Sequence, residues 1–179
     1  MLDTEKIKEA ESNIKNYLKE NLIKKIEFDE IILKTYLKNH QESIKVAQLI
    51  SESNISNLWI IVCSYYSMYY IANAVLYKLG YKIGDKISHK ITSDALIVFV
   101  RNKLKKSLLE DYEEVKDEAL DLVQSKANEI VMSFDYEIEK RGRFQYNMTE
   151  EIKSSKAKTS LIRAKEFADE MKNLLDDRK

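Results

Sequence analysis

The sequence predicts an all-α protein, an up-and-down bundle of about six helices. Three observations carry this expectation. Proline is absent and glycine occurs only three times, so little interrupts a helix. Apolar residues recur at three- and four-residue spacing between lysines and glutamates over most of the chain. The run 58–79, LWIIVCSYYSMYYIANAVLYKL, is apolar on nearly every face. A helix of that kind must be buried, in a protein core or in a membrane. Its length suits a span of roughly 20 residues. Its content favours a core, because Tyr65, Tyr66, Tyr69, Tyr70 and Tyr77 each carry a hydroxyl that wants a partner, and interfacial tyrosines belong at the ends of a span, not through its middle.

The elements follow in chain order. Residues 4–26 carry Ile7, Ile14, Leu18, Leu22 and Ile26 on one side, the pattern of a strongly amphipathic helix. Residues 29–51 continue with Leu33, Tyr36, Leu37, His40, Ile44 and Ala47. Ser56 is a suitable N-cap for the apolar helix, and Gly80 a suitable residue to end it. The segment YKIGDKIS reads as a loop, with Gly84 and Asp85 as turn formers. Ser88 is placed to cap the next helix, whose stripe is Ile91, Ala95, Val98 and Phe99, with His89 in its first turn. After a break near Lys106, apolar positions from Leu108 to Ile138 mark a helix of about 30 residues. Periodicity fails over 139–148, EKRGRFQYNM. Thr149 offers an N-cap to the last helix, with Ala157, Leu161, Ala164, Ala168, Met171 and Leu175 facing inward. No stretch reads convincingly as a strand. Residues 1–28 form an N-terminal amphipathic helix, and 29–179 the bundle.

Composition narrows the function classes. Lysine plus arginine equals aspartate plus glutamate at 30 each, so there is no bulk charge to attract nucleic acid or acidic lipid. The single cysteine, Cys63, lies in the apolar run and reads as packing in a reducing compartment. The N-terminal residues lack the apolar core of a signal peptide, so a cytoplasmic protein without a membrane span is expected. The glycines lie too far apart for a phosphate-binding loop. His40 has no ligand partner at metal-binding spacing and reads as a packing histidine. Nothing in the pattern calls for a metal or a cofactor.

Two stretches carry a resemblance. The run CSYYSMYYIANAVLYKLGYKIGDKISHKITSDALIVFV places Ser64, Tyr65, Tyr66 and Tyr69 in a buried helix. It then puts Gly80 in a loop and Ser88-His89 at the start of the next helix. The break before the last helix reads Arg141-Gly142-Arg143-Phe144-Gln145-Tyr146. Over residues 31–175 the chain resembles HEPN domains, helical bundles of prokaryotic toxin–antitoxin, defence and CRISPR-linked systems. The resemblance implies a homodimer formed through the central helices, an RNA-related role and a nucleotidyltransferase-type antitoxin partner. Catalytic members carry an arginine a few residues before a histidine near this same break, and the pair is implicated in metal-independent RNA cleavage. The arginine steadies phosphate charge and the histidine moves a proton near neutral pH. Here Arg141 and Arg143 supply the arginine, but Tyr146 and Asn147 stand where the histidine would fall. A tyrosine titrates near ~10 and an asparagine not at all. The resemblance therefore implies a degenerate ribonuclease motif. Arg141, Arg143 and Tyr146 are the candidates for residual catalysis, and Gln145, Asn147 and His89 for substrate contact. Three bland readings stand beside it. Arg141 and Arg143 pair with Glu137 and Glu139 while Tyr146 packs, the whole bundle is a non-catalytic scaffold for another protein, or it is an unrelated helical bundle whose tyrosines merely pack.

Overall fold

The apolar run forms the central helix because Ser56 stops the chain from fraying there: its hydroxyl accepts from the Trp59 amide, satisfying one orphan donor of the first turn. In the computed structural model, which describes residues 3–139 and 153–176 but not the side chains of 129–139, this helix is α3, Asn57–Lys78. Before it come α1, Thr4–Lys19, a short strand β1, Ile23–Lys25, and α2, Glu30–Ser53. After it come β2, Tyr81–Ile83, α4, Ser88–Phe99, a single 3₁₀ turn at Arg101–Lys103, α5, Lys106–Glu139, and α6, Ser154–Asp176. The described residues thus form an all-α bundle of six helices with one two-stranded ribbon.

Packing explains the unbroken hydrophobicity of α3. It contacts α2, α6, α5 and α4, so most of its circumference is interior. Ile61, Tyr65, Met68, Ile71, Ala72, Ala74 and Leu76 are fully buried. By length and composition α3 is the one helix among the described residues that could cross a membrane, and 67% of its most apolar window is buried inside the bundle. The facing helices supply Ala47 from α2, Ala95 and Leu96 from α4, Tyr112 and Val115 from α5, and Ala164, Phe167 and Met171 from α6. Alanines at 47, 164 and 168 let backbones approach α3 closely, while Phe167 fills the remaining space against Tyr112 at 5.3 Å between ring centres. His40 is buried among these contacts, with Nδ1 bonded to the Ser67 carbonyl (3.1 Å) and facing the Ser67 hydroxyl (2.9 Å). Burial holds its pKa below the usual imidazole value.

Three expectations need correction. The first helix stops at Lys19, seven residues before the apolar stripe ends. Asn21 adopts the left-handed conformation (φ 58°) and the Leu22 amide reaches back to the Tyr17 carbonyl, which closes the helix as a glycine would. The chain then turns into β1, so Leu22 and Ile23 continue the apolar pattern in an extended segment. Its antiparallel partner is the stretch expected to be a loop: Ile23 faces Ile83, and Lys25 faces Tyr81. Three-residue strands have no periodicity long enough to be read from a sequence. The third correction concerns Ser88, which is the first helical residue and not the cap. The cap position is Ile87, left-handed at φ 45° and without a side-chain hydrogen bond. Gly80 does end α3, at φ 89° with its amide bonded to the Tyr77 carbonyl.

The N-terminal helix is tied to α4. Asp94, buried on α4, accepts from Asn13 Nδ2 and the Tyr17 hydroxyl, each at 3.1 Å. Arg101 bridges Glu11 at 3.2 Å. Those bonds hold α1 over one end of α4, beside the cleft described next.

Candidate functional site

The left-handed turn at Ile87 sets the direction in which α4 begins, and so where His89 lies. The His89 ring sits on the tyrosine face of α3. Its Nδ1 is 2.5 Å from the Tyr65 hydroxyl. Ring centres lie 4.8 Å away for Tyr69, 5.5 Å for Tyr65 and 6.0 Å for Tyr66. Tyr70 extends the cluster through Tyr66 and Tyr69. Helical spacing accounts for the grouping: residues 65, 66, 69 and 70 are one turn apart in two adjacent rows. Tyr65 is wholly buried, whereas Tyr66, Tyr69, Tyr70 and His89 are half-buried and open to the surface. Cys63, expected in the core, is also only half-buried.

Beside His89 a cleft of about 270 Å³ opens between α1, α4 and α5. Its wall is ionic. Glu113 Oε2 receives Lys6 Nζ at 2.8 Å and Lys116 Nζ at 3.2 Å. Lys116 also donates to the Ser93 hydroxyl at 3.0 Å and lies 3.4 Å from Asp117. Burial alone would raise the Glu113 carboxyl, but the two ammonium groups and Ser93 outweigh it and hold it below the ordinary carboxylate range. Lys90 on the rim is 3.9 Å from Glu9. Every cation here faces a carboxylate, so the cleft has no surplus positive charge to attract a phosphate by Coulomb force alone.

Burial, and then the nearby Lys116 ammonium, push the His89 imidazole below its usual pKa. Both effects favour the neutral ring. Burial pushes the Tyr65 phenol far above its usual range, so that it keeps its proton. The site thus offers flat aromatic faces and an imidazole, next to a compensated ionic wall. This suits a planar ring better than a bare anion. Among the described residues no three His, Cys, Asp or Glu side chains converge as metal ligands would.

Set against family models, characterised proteins and solved structures, the chain matches none.

Of the site residues expected from the sequence, His89 is placed and has found Tyr65, Tyr66 and Tyr69. Arg141, Arg143, Gln145, Tyr146 and Asn147 lie outside the described residues, as do the partners Glu137 and Glu139 at side-chain level. Lys116, Glu113, Ser93 and Tyr112 were not singled out in the sequence. The pair Glu113 and Lys116 at i, i+3 is a common helix-surface pattern, and only the docking of α1 and α4 turns it inward.

Proposed function

We propose that this protein is a HEPN-like bundle that binds a nucleotide or single-stranded RNA, with a degenerate ribonuclease motif and little or no turnover. The observation that carries this reading is the half-open cluster of Tyr66, Tyr69, Tyr70 and His89 beside the cleft. Unstacked bases are held on such aromatic platforms, and every base has a face to offer. Arg141 and Arg143 are assigned to the phosphates, and Gln145, Asn147 and Tyr146 to flanking contacts. The missing histidine in that segment is the reason to expect slow or absent cleavage. Robust, chelator-resistant RNA cleavage that vanishes in Arg141→Ala would contradict this part.

Stacking and charge make different predictions for binding. A short fluorescent oligouridylate, titrated at several salt concentrations, should bind with a slope of log K on log salt of only about −1 to −1.5, the value for two phosphate contacts. Tyr66→Ala should weaken binding about tenfold or more, the loss of one stacked base. A steep salt slope with no effect of Tyr66→Ala would mean that charge, not the tyrosine platform, holds the RNA.

The same fold supports a partner-facing role. Val46 and Leu49 on α2, Ile55 in the turn and Trp59 on α3 are exposed, with Ile55 at 74% and Trp59 at 53%. Exposed large apolar groups on adjoining elements favour an interface. We assign this side to the proposed homodimer, with a nucleotidyltransferase-type protein as a further partner in a cytoplasmic toxin–antitoxin or defence setting. Sedimentation of the free chain as a monomer at micromolar concentration would remove the dimer from this reading.

A further inference from the structure

We propose that Tyr65 fixes His89 in the tautomer protonated on Nε2, so that the cleft presents a ligand with an N–H donor and not with a base. The Tyr65 hydroxyl and His89 Nδ1, 2.5 Å apart, share a single proton on the line between them. If Nδ1 donated, the phenol oxygen would accept, and the phenol's own proton would need a second acceptor. The side chain that bears most on the buried end of this pair is Tyr112, whose ring centre is 6.1 Å from that of Tyr65. Its hydroxyl is itself buried and has no hydrogen-bond partner. With Tyr112 outside hydrogen-bonding geometry, the Tyr65 proton would be left in the core without an acceptor, which is a costly arrangement.

The opposite direction gives the Tyr65 proton an acceptor and leaves only that of Tyr112 unpaired. Tyr65 donates to His89 Nδ1, and the remaining imidazole proton is on Nε2. No described residue takes that Nε2–H. Both hydroxyls keep their protons at any ordinary pH, because burial raises each of them. Tyr65 is thus a positioning residue. What His89 meets must be an acceptor. Its oxygen comes from a phosphate or from a base carbonyl; this ligand half rests on the nucleotide reading above, while the tautomer does not.

The test reads the tautomer directly. The chain has two histidines, so ¹⁵N-histidine labelling gives two imidazoles in a long-range ¹H–¹⁵N spectrum, and His89→Ala assigns them. The wild-type spectrum should show His89 protonated on Nε2 at neutral pH. Tyr65→Phe should turn it into a mixture of tautomers and leave His40, held by Ser67, unmoved. Nδ1 protonation in the wild type, or an unchanged tautomer in Tyr65→Phe, would overturn the proposal. The wild-type spectrum decides even if Tyr65→Phe folds poorly, and Tyr112→Phe, which removes only a hydroxyl that bonds to neither ring, should leave the tautomer fixed; a mixture there would also overturn the proposal. Titrations with uridine and with uridine monophosphate separate the two oxygen sources. Loss of about tenfold in His89→Ala for both identifies the carbonyl, and loss for the monophosphate alone identifies the phosphate. An Nε2–H imidazole in a protein that binds neither compound contradicts the nucleotide reading and leaves the tautomer standing.

Discussion

Tyr65→Ala is expected to destabilise the protein by about 3–5 kcal/mol, the range for removing a large buried ring. Tyr65 is fully buried and touches four rings: Tyr66, Tyr69, His89 and Tyr112. These come from α3, α4 and α5, so the cavity would lie where three helices meet and could not collapse by shifting one of them. Tyr65→Phe keeps the ring and loses only the hydroxyl, and should cost about 1 kcal/mol. Urea denaturation of the two variants checks the contrast. Equal, small effects would mean that the ring is not a packing centre and that His89 is positioned by something else.

The second large effect is a pH dependence with two opposite signs. Glu113 in the folded protein is held below the ordinary carboxylate range, mainly because Lys6 and Lys116 outweigh the cost of its burial. A lowered carboxylate pKa contributes stability that is present above the unfolded-state value and is lost as pH falls through the folded one. Asp94 goes the other way. Burial raises it, and the bonds from Asn13 and Tyr17 offset that only in part. Its ionisation therefore costs stability as pH rises through the interval between the unfolded and the raised folded value. Beside it, burial and then the Asp94 charge push the Tyr17 phenol up to about 12. Glu113→Gln should lower stability by about 1–2 kcal/mol at neutral pH, a value reduced because Lys6 is partly in solvent. It should also flatten the acid side of the stability profile. Asp94→Asn should steepen the same side, because it removes the opposing term. Thermal melts of the three proteins between pH 3 and 7, a range of about four units around the carboxylate values, compare the slopes. Parallel curves would show that neither carboxylate is coupled to folding.

Much of the fold could be read from residues 4–128, because helix starts and stops are local chemistry. Asp29 and Ser56 accept hydrogen bonds from the first turns they precede, and Gly80 takes the positive φ that ends α3. Asn21 and Ile87 were opaque for the opposite reason. Ile87 adopts a left-handed conformation that a β-branched side chain disfavours and that contacts of α4 with α3 compensate, and Asn21, which tolerates that conformation, sits inside an apolar stripe that runs on past the helix end. The tyrosines of α3 were visible as a cluster, and so was His89 in the first turn of its helix. Their contact was not, since 24 residues and a turn separate Tyr65 from His89. The ionic wall was least legible: Lys6 reaches Glu113 across 107 positions of sequence, and no periodicity encodes such a pairing.

The most direct test of a nucleotide site at the His89 cleft is a titration of the labelled protein with uridine monophosphate, followed by the tyrosine and histidine ring signals. The expected result is a saturable shift that is largest for Tyr66, Tyr69 and His89, leaves His40 in place and needs about tenfold more nucleotide in His89→Ala. A saturable shift centred on other residues, or none at millimolar nucleotide and with a short oligouridylate, would contradict it.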